Sequence, residues 1–395
     1  MRVVAPFSPD MEPELATSII QIDNQKSGQK YPTGNHFMRI AEVAPLAESV
    51  PPKLYGGTER VVSWLTDALL DLNCSVTLFA SGDSKTRARL VAVCPQALRL
   101  SKPVIDRAVA TSALIDAVAT RADEFDLIHW HTDWLHLPLT RYIKTPSLTT
   151  LHGRLDLPFM KPMIQGVGNS PFISISNSQR GPLPELNWAA TVYHGLPESL
   201  LSYRTAPNNY LAFLGRLTPE KGPDIAIRLA KAAKMPLRIA AKIPRGETRY
   251  FKETIKPLLD GPAVQFVGEV NEKQKNEFLG NASALLFPID WPEPFGLVMI
   301  EAVACGTPVI AWRRGSVSEI VEDGVTGFIV DNEAEAMSAI GKLATLDRAR
   351  VRAAFERRFT ARRMAQDYVT CFRAILSRGR QQFSDVKTRP AMAAE

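Results

Sequence analysis

From residue 38 onward, short apolar runs of strand length alternate with segments of helical spacing, and after about residue 199 the alternation begins again. The first unit carries strand-like runs at Arg39–Val43, Ser75–Ala80, Leu127–His131, Ser147–Leu151, Phe172–Ile175 and Thr191–His194, with helical patterns at Thr58–Leu72 and Ile105–Ala122. The second carries them near 210–214, 237–241, 264–267, 284–287, 308–312 and 327–330, with a helical pattern over Asp224–Lys234. A helical crossover returns the chain to the same end of a sheet, so such strands pair in parallel, with helices on both faces. The fold class is therefore α/β. A chain of 395 residues is too long for one ordinary core, and 45% apolar content fills two. The boundary falls at a Pro- and Asn-rich stretch, 197–209, giving domains 38–198 and 199–363. Residues 1–37 read as a polar extension, with Met38 a candidate initiator, and 381–395 as a tail.

In such sheets ligands bind outside the carboxyl ends of the strands, and two segments stand there. In Glu293-Pro294-Phe295-Gly296-Leu297-Val298-Met299-Ile300-Glu301, one carboxylate lies just before a helix N-terminus and the other lies on the helix. Gly306-Thr307-Pro308 ends that helix, and Val309–Trp312 reads as a buried strand. Free N–H groups at the helix start favour an anion, and two carboxylates accept from hydroxyls. A sugar nucleotide offers both. The other segment, Gly215-Arg216-Leu217-Thr218-Pro219-Glu220-Lys221-Gly222, joins an apolar run to a helical one. Arg216 supplies a planar fork for phosphate oxygens and Lys221 a point charge. Taken singly, each segment also reads as a solvated surface turn; their order and spacing together favour binding.

Together these segments resemble the glutamate–seven–glutamate signature and the diphosphate-binding turn of glycosyltransferase family 4. These are retaining enzymes with the GT-B fold, two Rossmann-like parallel-sheet domains facing across a cleft. The resemblance covers roughly residues 38–376. It implies transfer of a hexose from a nucleoside diphosphate sugar, UDP-glucose or GDP-mannose for example, to a hydroxyl of a glycan, lipid-linked or small-molecule acceptor. Glu301 would take the ribose hydroxyls. Glu293, with the amides around Phe295, Gly296 and Leu297, would take the sugar. Arg216 and Lys221 would neutralise the departing diphosphate, where transition-state charge builds. No metal or other cofactor is then expected. The departing phosphate would itself accept the acceptor's proton, so the two glutamates are not the acid and nucleophile of a glycosidase.

The resemblance extends to the first domain. Gly56 and Gly57, in Tyr55-Gly56-Gly57-Thr58-Glu59-Arg60, match the family's glycine turn, which approaches the donor across the cleft. His152, ending Thr149-Thr150-Leu151-His152-Gly153, matches a histidine that contacts the donor sugar near the reacting carbon. By themselves these are a plain loop and a strand-end histidine. The helical segment Met364–Leu376 matches a C-terminal helix, about 364–378, that crosses back onto the first domain. One departure is Ala240-Ala241-Lys242-Ile243-Pro244, where many relatives have a glycine-rich turn; Lys242 is either a further phosphate contact or a surface lysine.

Other functions are weighed on the same residues. No GxGxxG occurs, which argues against a nicotinamide dehydrogenase. His129, His131 and Asp133 could form a metallo-hydrolase site, a remote reading, because the surrounding alternation is parallel α/β. A non-catalytic nucleotide-sugar binder, or a GT-B epimerase or phosphorylase, shares the fold and stays open. Between Lys342 and Arg380 stand eleven Lys+Arg against three Asp+Glu. That segment suits weak peripheral contact with anionic lipid, though a solvated helix face is the preferred reading. Charge alone does not make a nucleic-acid module. Scattered Cys74, Cys94, Cys305 and Cys371, with no apolar run of about 18 residues, suggest a cytoplasmic protein with reduced thiols.

Overall fold

The computed structural model describes residues 37–53, 56–99, 101, 106–164, 170–259 and 261–387. The expected extension up to residue 36, Tyr55 of the glycine turn, and residues 388–395 lie outside them. The chain forms two parallel sheets. The first contains β1 (Arg39–Val43), β2 (Ser75–Ser81), β3 (Arg89–Cys94), β4 (Leu127–Trp130), β5 (Ser147–Thr150), β6 (Phe172–Ser174) and β7 (Trp188–Thr191), in the order β3-β2-β1-β4-β5-β6-β7. The second contains β8 (Leu211–Arg216), β9 (Leu237–Lys242), β10 (Val264–Gly268), β11 (Ala284–Phe287), β12 (Val309–Trp312) and β13 (Gly327–Val330), in the order β10-β9-β8-β11-β12-β13. Chain direction across each sheet reverses once, between β1 and β4 and between β8 and β11. A crevice opens at each such switch point, outside the carboxyl ends of the strands.

Two elements depart from the sequence reading. β3 was not expected; Leu90–Cys94 is an apolar run, but only Val91 and Cys94 on it are buried, as suits an edge strand. β7 is the opposite edge and lies at Trp188–Thr191, upstream of the expected 191–194. Val192 and His194 beyond it are buried, His194 against Phe295 of the second domain.

Three helices position the site. α1 (Gly57–Asp71) buries Val61, Leu65 and Leu69 at four-residue spacing, which lays one face on the sheet. α2 (Arg107–Ala119) starts at Asp106, whose carboxylate accepts from the Ala108 N–H at 2.7 Å. Near the C-terminus the chain crosses back. Leu196 bridges to Thr360, with Leu196 N donating to Phe359 O at 2.8 Å and Ala361 N to Leu196 O at 2.7 Å. A Cβ on Gly195 would lie 2.2 Å from Thr360 O, so only glycine lets the strands pass this closely. The final helix, Ala361–Lys387, packs on α1 and buries Met364, Tyr368 and Phe372, again at four-residue spacing. It runs past residue 381, where a tail was expected, because Arg380–Lys387 contains no proline and mostly residues a helix accepts.

The basic segment that leads into it is an internal clamp in part, while Arg350, Arg357 and Arg362 stay exposed as on a solvated face. Buried Arg348 donates to the carbonyls of Arg204, Ala282 and Gly280. Arg352 donates to Leu201 and Ala304, and Arg357 and Arg358 both pair with Glu322. No helix among the described residues is long and apolar enough to cross a membrane.

Gly327 on β13 gives a sharp stability test. A Cβ there would lie 1.9 Å from Val309 O on β12. Gly327→Ala should cost about 3 kcal/mol or more, because a backbone carbonyl cannot yield without moving a central strand. Gly341→Ala meets open space and should stay within about 0.5 kcal/mol. Urea midpoints of the two variants check this; equal midpoints would refute the close packing of β12 on β13.

Candidate active site between the two sheets

In the second domain the site forms at the β8–β11 switch point. β8 ends at Arg216, whose Cα partner on β9 is Lys242, so two cations stand side by side at the carboxyl edge. Arg216 Nη2 lies 3.5 Å from Glu220, while its Nε is buried without a partner. The turn closes on Gly222 at φ +65°, where a Cβ would meet Pro288 O at 2.3 Å. Glycine is therefore required there both for the left-handed backbone and for the space. Lys221 just before it pairs with the buried carboxylate of Glu293, which also accepts from Trp291 Nε1 at 3.0 Å. The Lys221 ammonium stands 4.6 Å from the Trp291 ring centroid, and Arg154 of the first domain lies over the same ring at 5.0 Å. Trp291 thus links cations from both domains.

Gly296 (φ +78°) precedes α5, here the helix Leu297–Ala304, and Phe295 O accepts from Ser316 Oγ at 2.9 Å. A Cβ on Gly315 would overlap the backbone of Glu293 at 2.4 Å, so the two loops are pressed together. Glu301 on α5 is buried and pairs with Lys275 at 2.6 Å. Lys275 also holds Glu272 at 3.0 Å, and Glu272 pairs with Arg60 on α1. Opposite, Gly56 packs so closely on Pro52 that a Cβ would lie 2.8 Å from the proline ring. The Cβ position of Gly57, first residue of α1, is 3.7 Å from Leu297 Cδ1, first residue of α5. Two helix N-termini therefore meet across the cleft, and both favour an anion.

The first domain contributes a buried polar chain at its own switch point. Glu42 on β1 is the Cα partner of His129 on β4, and Glu42 is fully buried. Its carboxylate accepts from His129 Nδ1 at 3.0 Å and His131 Nε2 at 2.8 Å. His129 Nε2 meets Thr150 Oγ1 at 2.8 Å, and Thr150 meets the Tyr368 hydroxyl at 3.0 Å. His131 Nδ1 lies 2.8 Å from His152 Nε2. His152 stacks on His194, which abuts Phe295 edge-on at 4.7 Å. Burial opposes charge on Glu42, but the field and hydrogen bonds of His129 and His131 outweigh it and hold the carboxyl at about 2. Burial lowers His131 to about 4, and His194 to about 3, and sets His152 well below the ordinary imidazole value. His152 and His194 are therefore neutral, and the Nδ1 of each is buried without a partner.

The expected residues fall in two groups that meet at the cleft: Arg216, Lys221, Glu293, Phe295, Gly296, Leu297 and Glu301 from one domain, and Gly56, Gly57 and His152 from the other. The metal reading is corrected. Among the described residues the converging donor atoms belong to Glu42, His129 and His131, not to the set with Asp133. Asp133 takes a left-handed turn at φ +56° and is exposed. Glu42, in turn, is already bonded to both rings in a buried network. Sequence reading missed Glu42, Lys275, Trp291 and Arg154. Glu42 did leave a signal, a lone carboxylate inside an apolar strand.

Two family models match the chain: Glycosyltransferase Family 4 over residues 55–195 and Glycosyl transferases group 1 over 204–357. Among curated proteins it is 28% identical over 228 residues to the uncharacterized glycosyltransferase MJ1178 of Methanocaldococcus jannaschii, covering 53% of this chain and 62% of that protein. It is 36% identical over 148 residues to the D-inositol 3-phosphate glycosyltransferase of Mycolicibacterium smegmatis, 36% of this chain and 32% of that one. The match thus spans less than two thirds of these relatives. Among solved structures, AviGT4, a glycosyltransferase involved in avilamycin A biosynthesis, has a TM-score of 0.66 at 25% identity, covering 86% of this chain and 98% of that one. Anabaena Alr3699/HepE in complex with UDP and glucose has a TM-score of 0.67 at 20% identity, covering 85% and 100%. Two parallel-sheet domains with a cationic turn and a glutamate pair facing a glycine turn, matched by both models in this order, place the chain in glycosyltransferase family 4, with the GT-B fold.

Proposed function

We propose that the protein is a metal-independent retaining glycosyltransferase that moves a hexose from a nucleoside diphosphate sugar to an acceptor hydroxyl. The observation that carries this is the meeting of the α1 and α5 N-termini at Gly57 and Leu297, with Lys221 held by Glu293 four residues before Leu297. The buried, unpartnered Nε of Arg216 adds a donor in search of an acceptor. This arrangement suits a diphosphate, and its fixed positive ends stabilise charge as the diphosphate leaves. Glu293 and Glu301 suit hydroxyls of sugar and ribose; Lys275 now occupies Glu301 and would share it with a ribose. The departing phosphate takes the acceptor's proton on the same face, which retains configuration. Closure of the two domains excludes water and favours transfer over hydrolysis. Alr3699/HepE was solved with UDP-glucose, which makes a uridine donor the first to try. The acceptor, a glycan, lipid-linked or small molecule, is left open by these residues.

A thermal-shift panel tests the reading: UDP, GDP and ADP, with their glucose, mannose and N-acetylglucosamine adducts, in chelator. One nucleotide family should raise the melting temperature, and at about a hundred times its Kd the gain is about 2.7 kcal/mol. No shift with any nucleotide, together with a shift on adding zinc, would overturn the donor site.

A further inference from the structure

The buried chain in the first domain has a definite proton order. Ionised Glu42 can only accept, so His129 Nδ1 and His131 Nε2 must both carry protons. Neutral His131 then has a bare Nδ1. That nitrogen can only accept from His152 Nε2, 2.8 Å away, so the proton of His152 sits on Nε2. One nitrogen of the chain is left open, the buried Nδ1 of His152. A buried acceptor without a partner is unfavourable, and a hydroxyl donor arriving at it would satisfy it.

We propose that Glu42 is a positioning residue that acts through His131 to fix the tautomer of His152, so that His152 presents a bare Nδ1 as acceptor to a sugar hydroxyl in the cleft. The hydroxyl's identity as a sugar group rests on the glycosyltransferase reading; the tautomer does not. The geometry favours this over a purely structural role. Glu42 and His129 face each other as strand partners, so the carboxylate is held by the backbone register, and it bonds the two rings with separate oxygens. The other face of His129 is held by Thr150 and Tyr368 of the returning C-terminal helix, so that helix locks the base of the chain. The charged and titratable groups around His152 are Glu42 from β1, His129 from β4 and His131 just after it, His194 after β7, and Arg363 and Tyr368 from the last helix. A carboxylate at the far end makes the order one-way, whereas an amide could accept from one ring only and would have to donate to the other.

The test is nitrogen NMR of the full chain labelled at histidine, with His152 assigned by substitution. In the wild type, His131 and His152 should both show protonated Nε2 and bare Nδ1, unchanged from pH 8 to pH 5.5. Glu42→Gln keeps the shape but reverses one hydrogen bond; it should populate a second His152 tautomer and lower kcat by about tenfold with KM for the nucleotide sugar changed much less. A wild-type His152 protonated on Nδ1 overturns the relay, as does wild-type kcat in folded Glu42→Gln. Should that variant fail to fold, the wild-type spectrum still decides. Because the spectrum is read without substrate, the relay can fail while the transferase reading stands, and the reverse.

Discussion

Lys221→Ala is expected to lower kcat/KM for the nucleotide-sugar reaction by about a hundredfold, and Arg216→Ala by at least about tenfold. The two effects differ for a reason visible in the site. Lys221 is paired with Glu293, so its removal deletes a cation and also leaves a buried carboxylate held only by Trp291 Nε1. That stranded charge would face the diphosphate as negative charge develops on it, and it repels. Glu293→Gln in the Lys221→Ala background should therefore recover part of the loss, a coupling that independent residues would not show. Arg216 has a looser partner, Glu220 at 3.5 Å, and no acceptor on its Nε. Arg216→Lys should restore little, because a point charge lacks the fork. Steady-state kinetics with the donor selected by thermal shift settle it: wild-type turnover in either alanine variant removes the phosphate assignment.

Arg216, Lys221, Glu293 and Glu301 were legible because their segments are local, each a strand, a turn and a helix start written within about ten residues. The sheets were legible for the same reason: buried parallel strands such as Leu285–Phe287 and Val309–Trp312 are unbroken apolar runs. Edge strands are less buried than these; β3 went unread although Leu90–Cys94 is apolar, and β7 was placed too far downstream. What brings residues together across long separations leaves no local pattern. Glu42 finds His129 and His131 through strand register, 87 and 89 residues away. Lys275 reaches Glu301 from a different helix, and Trp291 meets Arg154 only because the domains face each other. The arginine-rich C-terminal segment was legible only in part, as a solvated face at Arg350, Arg357 and Arg362, for a related reason. Its composition is that of a surface, but the carbonyls that hold Arg348 and Arg352 are 48 to 154 residues distant. Read from sequence, His129-Trp130-His131-Thr132-Asp133 looked like a chelating string. The left-handed turn at Asp133 and the carboxylate on the next strand turned its histidines to another use.

Stability should fall steeply as pH drops from 7.5 to 5.5. Four imidazoles are held uncharged in the native state: burial lowers His131 to about 4, His136 and His194 to about 3, and His152 well below its ordinary value. In the unfolded chain each titrates near 6.5. Below that value the unfolded chain takes up protons that the native rings refuse, so the unfolded state gains and stability falls until the native values are reached. One pH unit below 6.5 a ring excluded from charging costs about 1.4 kcal/mol, so four rings together cost several kcal/mol. Glu42 does not counter this. Its native value is near 2, so its contribution is present above the unfolded carboxyl range and is lost only below it. Glu59, Asp67 and Asp133, each raised chiefly by desolvation, work in the other direction, but carboxyls start from a lower ordinary value than the rings and weigh less between pH 7.5 and 5.5. His194→Phe separates the terms. A phenyl ring keeps the stack between His152 and Phe295 while removing one titration, so the slope of stability against pH should become shallower by about a quarter. Urea midpoints at pH 7.5, 6.5 and 5.5 measure both chains. A flat profile in the wild type would mean that the rings charge in place, and the neutral chain from Glu42 to His152 would go with it.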